Sequence, residues 1–193
     1  MQILIAIILL FVTILLLTVI IAAFFFLLDT FLELPYVPAR SDKVLTIIKL
    51  ANIKSGDIAI DLGSGDGRLL FAAAKEGAHA IGYEINPFLV LLTRIKAQLL
   101  HLRGGGIAPP QRGKGHLGGG QISVKRQNLW QADLKDADVI FVYGRQKTMQ
   151  KFQDFVYKNA RRGTRIIVNS DLTIPFPTKK PLKSKNGLFL YKI

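Results

Sequence analysis

The chain has 193 residues, a formal net charge of +13, no cysteine and a mean hydropathy of +0.31. That length predicts one soluble domain of ordinary size. The missing cysteines exclude a disulfide scaffold, a cysteine-based zinc site, an iron–sulfur cluster and a thiol nucleophile. A positive mean hydropathy beside so strong a positive charge indicates that two kinds of segment are averaged, and the chain divides near residue 28.

The N-terminal segment is almost wholly apolar, with 25 apolar residues and no charge among the first 28. As a helix, the stretch 3–28 would be about 39 Å long, which is enough to cross a hydrocarbon core of roughly 30 Å. A cleaved signal peptide is the alternative, but it needs a basic start and an apolar run of only ~7–15 residues. The sequence therefore predicts an uncleaved transmembrane anchor.

The charges that follow the anchor predict its orientation. Beyond Arg40 the chain carries 25 basic and 11 acidic residues, a net charge of +14. Positive charge is retained on the cytoplasmic side of a membrane. We therefore expect a single-pass membrane protein whose folded domain faces the cytoplasm, where the basic surface could also meet anionic lipid head groups.

The remainder of the chain alternates between predicted strands and helices after an extended, proline-containing entry. The predicted helices are 41–51, 69–76, 87–102 and 146–158, and the predicted strands are 58–62, 79–84, 122–126, 139–143 and 165–169. Segments 172–176 and 188–192 are expected to form a closing hairpin around a basic loop. This alternation predicts an α/β fold with a doubly wound, Rossmann-like parallel sheet and an antiparallel hairpin at its edge.

These patterns divide the chain into three parts. We expect an anchor over 1–29, a linker and N-terminal helix over 30–56, and the ligand-binding domain over 57–193. Within the domain, 104–120 contains eight glycines and two prolines, so it is expected to be a flexible loop.

A glycine-rich loop stands where the first strand turns into a helix, in the run Asp61-Leu62-Gly63-Ser64-Gly65-Asp66-Gly67-Arg68. A Walker A loop is excluded because no Gly-Lys-Ser/Thr opens the helix. The dinucleotide fingerprint is excluded because Arg68 stands where a third glycine must allow close packing. The pattern that remains, Asp-x-Gly-x-Gly-x-Gly, is the first motif of class I S-adenosylmethionine-dependent methyltransferases.

The loop chemistry suits that ligand, since glycines allow close backbone approach and a helix N-terminus favours the ligand's carboxylate. Glu84 ends the next predicted strand, where a carboxylate can accept both ribose hydroxyls, although a solvated strand-end acid is the alternative. After the third strand, Asn128 could meet the adenine amino edge, and Trp130 could lie against the adenine or in the core. The predicted cofactor-binding residues are Asp61, Gly63, Ser64, Gly65, Asp66, Gly67, Glu84 and Asn128.

Three motifs together resemble one family: the glycine loop, the run Gly82–Val90 and Asn128–Trp130, preceded by an apolar helix and Pro35–Pro38. They are similar to the small membrane-anchored protein-lysine methyltransferases that modify the mitochondrial adenine nucleotide translocase and the ATP synthase c-ring protein, and to their prokaryotic relatives. The resemblance implies S-adenosylmethionine contacts from the glycine loop, Glu84 and Asn128, and it implies that Pro35–Pro38 lines an entrance. The insert at 104–120 and the run Tyr143-Gly144-Arg145 depart from the family, which leaves the substrate open.

The sequence identifies no catalytic base, and none is strictly required if a lysine nucleophile is desolvated and loses its proton. Tyr36 and Tyr143 are candidates to shape the substrate channel. No metal is expected, because His79, His101 and His116 have no mutual metal-ligand spacing.

Three substrate classes follow from these features. A lysine side chain of a membrane-associated protein is the first. A membrane-dissolved quinone or lipid is the alternative. A nucleic acid is disfavoured by the anchor, even though the domain is basic. The Asp/Asn-Pro-Pro-Tyr/Phe motif typical of enzymes that methylate base or amide nitrogens is missing after the fourth strand.

Overall fold

The computed structural model describes residues 2–31, 41–102 and 120–193. The chain divides into two compact units, Met1–Tyr36 and Val37–Ile193. In the first unit, α1 (Gln2–Phe31) is one continuous helix whose segment Gln2–Phe24 is long and apolar enough to cross a membrane. The hydroxyls of Thr13 and Thr18 each donate to the carbonyl four residues earlier at 2.8 Å, so these polar side chains are satisfied within the helix.

The second unit is built on one seven-stranded sheet. Its helices are α2 (Ser41–Ala51), α3 (Arg68–Lys75), α4 (Pro87–Leu102) and α5 (Gln146–Asn159), and a short 3-10 helix spans Leu129–Gln131. Its strands are β1 (Ile58–Leu62), β2 (His79–Glu84), β3 (Gln121–Arg126), β4 (Val139–Tyr143), β5 (Arg165–Asn169), β6 (Lys183–Lys185) and β7 (Leu188–Lys192).

The strand order is β3-β2-β1-β4-β5-β7-β6, with β1 to β5 parallel and β7 antiparallel to both of its neighbours. The chain winds outward from β1 through β2 to β3 and then returns to place β4 on the other side of β1. The order therefore reverses between β1 and β4, and ligands bind outside the carboxyl ends of strands at such a switch point. The doubly wound α/β fold predicted from the sequence is confirmed.

Both faces of the sheet are covered, which explains the continuous apolar runs of its strands. On one face α2, α3 and α4 join a core cluster that includes Ile47, Leu70 and Val139. Strand residues of the opposite parity, such as Ile60 and Ile140, are equally buried. Helix α5 covers that second face through its buried residues Met149, Phe152 and Val156.

The closing hairpin differs from the prediction in its first strand. Residues 172–176 form no strand, and β7 pairs instead with Lys183–Lys185. The turn lies at Asn186 and Gly187, whose φ values of 51° and 75° are those of a tight hairpin turn. Phe176 is buried because its ring contacts Tyr191 with 4.6 Å between ring centres, so an apolar core residue was mistaken for a strand residue.

Candidate functional site

The loop between β1 and α3 depends on its glycines. Gly63, Gly65 and Gly67 have φ values of 90°, 55° and 80°, a region that side-chain-bearing residues rarely adopt. The backbone amides of Gly63 and Ser64 both donate to the carbonyl of Tyr83, at 2.9 and 3.1 Å. The loop therefore crosses the carboxyl end of β2 and brings its backbone beside the last residue of that strand.

That last residue, Glu84, is buried and ties two loops together. Its Oε2 accepts a hydrogen bond from the Gly65 amide, and its Oε1 accepts one from the Asn86 amide, both at 2.8 Å. A carboxylate can accept about four hydrogen bonds, so one that holds two amides can also accept from a ligand. Glu84 is therefore an element of the glycine loop rather than a solvated strand-end acid.

Helix α4 holds the other side of the loop through two residues that sequence reasoning missed. Thr93 is fully buried, and its hydroxyl donates to the Gly65 carbonyl at 3.4 Å. A Cβ atom on Gly67 would lie 2.7 Å from the Thr93 methyl group. Lys96 lies 3.6 Å from an Asp66 carboxylate oxygen. A single polar residue on the apolar inner face of α4 was the available signal for Thr93.

The loop is electrostatically negative. Burial raises the pKa of Asp61 to about 7, and the charges of Glu84 and Asp66 raise it further. Burial also acts to raise the pKa of Asp66, but hydrogen bonds and charge from Arg68 outweigh it, so that pKa is lowered. The hydroxyl of Ser64 is buried without a hydrogen-bond partner.

This arrangement fits a cationic ligand better than an anionic one. Asp61 and Glu84 would repel the phosphates of a dinucleotide or nucleoside triphosphate, whereas a nearby positive charge would favour the ionised form of Asp61. S-adenosylmethionine carries an ammonium group and a sulfonium group, and it has no phosphate. The residues present therefore fit this cofactor, with the unpartnered Ser64 hydroxyl available as an additional polar contact.

The segment after β3 places its three predicted residues differently. Asn128 caps the 3-10 helix, since its side-chain oxygen accepts from the Trp130 amide at 3.1 Å. Leu129 is the apolar residue beside the glycine loop, with its Cδ2 3.7 Å from the position of a Cβ on Gly63. The Trp130 ring instead contacts Phe152 of α5, with 4.6 Å between ring centres. Of the two positions left open for Trp130, the structure has the packed one.

The two channel candidates have different outcomes. Tyr143 ends β4, next to β1, and is partly buried. Burial and the charge of Asp171 raise the pKa of its phenol, while Arg145 acts in the opposite direction. The phenol therefore stays neutral at physiological pH. Tyr36, the Pro35–Pro38 segment and residues 104–119 of the predicted flexible loop lie outside the described residues.

Residues 61–182 match the family described as the ANTKMT methyltransferase domain. The chain belongs to this family. The match covers the glycine loop, Glu84, Asn128 and Tyr143, and the predicted family is confirmed. The family depends on S-adenosylmethionine, which is the cofactor predicted from the glycine loop.

Curated relatives extend the likeness. The chain is 30% identical over 148 residues to the lysine N-methyltransferase of the ATP synthase c-ring protein from Mus musculus, covering 77% of this chain and 52% of that protein. It is 26% identical over 167 residues to a protein-lysine N-methyltransferase of Saccharolobus islandicus, covering 83% and 94%. The chain thus spans about half the length of the mouse relative.

A solved structure with the same fold is an RNA methyltransferase from Salinibacter ruber in complex with S-adenosylhomocysteine. Its TM-score is 0.66 at 24% sequence identity, with 81% of this chain and 94% of that chain covered. At this identity the likeness establishes the fold alone, so the substrate must be argued from other observations.

Proposed function

We propose that this protein is a membrane-anchored, S-adenosylmethionine-dependent methyltransferase that N-methylates a lysine side chain of a membrane-associated protein. The observation that carries the proposal is the negative glycine loop, in which Asp61 and Glu84 lie beside backbone amides at the switch point of the sheet. Family membership supports the same chemistry.

The cofactor would be held mainly by three elements. Glu84 would accept hydrogen bonds from the ribose hydroxyls, and Asp61 would accept the ammonium group. Leu129 and Asn128 would flank the adenine from beyond β3. When bound, S-adenosylmethionine supplies an electrophilic methyl group, and the protein's contribution is to position the acceptor in line with it.

A lysine acceptor must reach the site without its proton. The reference pKa of lysine is about 10.4, and removal from water lowers it because burial disfavours the charged form. A neutral Tyr143 phenol at the end of β4 could accept a hydrogen bond from the incoming amine. Unlike a carboxylate, it would not stabilise the ammonium form of the lysine. Tyr143 would therefore orient the acceptor rather than act as its base.

The relatives support a protein acceptor, since those of mouse and Saccharolobus islandicus carry the name lysine N-methyltransferase. A further relative, 31% identical over 152 residues, is the adenine nucleotide translocase lysine N-methyltransferase of Mus musculus. A quinone or lipid acceptor is the second candidate function, because α1 would place the enzyme among membrane-dissolved molecules.

Helix α1 would hold the enzyme in a membrane. Its length and composition suffice to cross a bilayer, and its two threonines are satisfied internally. The basic residues after it favour a cytoplasmic location for the folded unit.

Methyl transfer from labelled S-adenosylmethionine into isolated membranes tests the proposal. We expect label in protein, released as methyl-lysine on hydrolysis and removed by protease. Glu84→Ala should abolish transfer, whereas Asp154→Ala, which removes an exposed carboxylate on α5, should leave it unchanged. Label in the organic extract would favour the quinone or lipid substrate instead, and label released by nuclease would contradict both.

A further inference from the structure

Helix α4 is apolar on two opposite faces. Its inner face, with Val90 and Thr93 buried, packs against the glycine loop and the sheet. Its outer face carries four large apolar residues, spaced so that they fall on one side of the helix. We call these residues the α4 stripe: Leu91, Leu92, Ile95 and Leu99.

The α4 stripe is exposed in the folded unit. Leu91 is 55% exposed, Leu92 41%, Ile95 46% and Leu99 50%. Helices that are apolar all round are normally buried, and a row of exposed large apolar side chains marks an interaction site. The stripe is therefore expected to have a partner.

The charges around the stripe indicate what that partner is. The α4 sequence contains no acidic residue, and Arg94 and Lys96 flank the stripe on its two sides. Arg94 donates to the neutral carbonyl of Val124 at 3.2 Å, so that contact leaves its positive charge uncompensated. The neighbouring strand β3 ends in exposed Lys125 and Arg126. An apolar stripe with a basic border is the pattern of helices that lie in the interface of an anionic membrane.

A second copy of the chain fits less well. Pairing two α4 stripes would bring Arg94 of one copy towards the basic border of the other, and like charges oppose such an interface. An anionic bilayer meets both features at once, because head groups attract the border and acyl chains receive the stripe.

We propose that the α4 stripe inserts into the interfacial region of an anionic bilayer and so holds the catalytic unit against the membrane surface. This rests on the membrane anchoring in the proposed function, but not on the methyl-transfer reaction. Because Thr93 on the inner face of α4 binds the Gly65 carbonyl, the same helix joins the membrane contact to the cofactor loop.

The absence of cysteine from the whole chain allows a direct test in the full-length protein. Single variants Ile95→Cys and Leu99→Cys are labelled with an environment-sensitive fluorophore and reconstituted into phosphatidylcholine–phosphatidylglycerol vesicles that contain shallow nitroxide lipids. Asp154→Cys, exposed on α5 at the opposite face of the sheet, is the matched control. Binding of S-adenosylhomocysteine verifies that each labelled variant is folded.

We expect several-fold stronger quenching by nitroxide lipids at residues 95 and 99 than at 154, and weaker quenching in vesicles without phosphatidylglycerol. Equal lipid quenching at all three positions, or ready quenching of residue 95 by aqueous iodide, would overturn the proposal. Shielding from iodide that grows with protein density, without lipid quenching, would assign the stripe to a second copy instead.

Vesicle flotation separates this proposal from the anchoring on which it rests. A protein that floats with the vesicles but exposes residue 95 to iodide would refute the α4 contact and leave the anchor intact. A protein that does not float would refute both. Methyl-transfer activity plays no part in either outcome.

Discussion

The perturbed carboxyl group of Asp61 leads to a prediction about cofactor binding. Asp61 is buried, and its pKa of about 7 lies well above its ordinary value of 3.8. In the free protein at pH 6.5, about three-quarters of the molecules would therefore carry the Asp61 proton. If Asp61 binds the ammonium group of the cofactor, it must ionise, and binding must release that proton.

Isothermal titration calorimetry with S-adenosylhomocysteine, which keeps the ammonium group, measures this release. In buffers of different ionisation enthalpy, the observed enthalpy should vary with a slope of about 0.75 proton at pH 6.5 and about 0.1 proton at pH 8. Asp61→Asn should bind more weakly and show no slope. An equal slope in the variant, or none in the native protein at pH 6.5, would refute the placement of the ammonium group at Asp61.

The same shift determines the pH dependence of stability. The pKa of Asp61 is higher in the folded than in the unfolded state, so the group destabilises the fold increasingly as pH rises from 3.8 towards about 7. Asp61→Asn removes this cost, worth up to about 4 kcal/mol at pH 8. The variant's advantage in thermal unfolding should therefore widen by about 3 kcal/mol between pH 5 and pH 8, whereas Asp154→Asn should show no such trend.

Four further outcomes are expected. Gly82→Ala should weaken S-adenosylhomocysteine binding, because its Cβ would lie 2.5 Å from the Ser64 hydroxyl and displace the glycine loop; unchanged affinity in calorimetry would contradict this. Arg165→Met should destabilise the fold by about 2–4 kcal/mol in thermal unfolding, since Arg165 binds a carboxylate and two carbonyls at the end of α2, whereas the more exposed Arg161→Met should cost under about 1 kcal/mol. Deleting residues 1–30 should release the protein from membranes in a flotation assay and leave cofactor binding intact; a deleted protein that still floats with membranes after a high-salt wash would show that α1 is not the main anchor. Methyl transfer to lysine should rise from about pH 7 to pH 9 as more of the amine is neutral, and a rate independent of pH would argue against an amine acceptor.

Several features of the fold could be predicted because their causes are local. Alternating apolar runs placed β1 to β5, and Pro87 marked the start of α4. The hairpin was misplaced because the apolar run 172–176 carried more weight than Asn186-Gly187, although that dipeptide is the stronger local signal for a hairpin turn.

The candidate site divides in the same way between sequence and structure. The sequence by itself determined the glycine loop, its family and the acid that ends β2, because positive φ values and a strand-to-helix turn leave a mark within a few residues. Only the tertiary structure decided that Thr93 and Leu129 contact that loop, that Asp61 has a pKa of about 7, and that α4 exposes a second apolar face. Those properties depend on burial and on neighbours distant along the chain, which no local pattern of residues records.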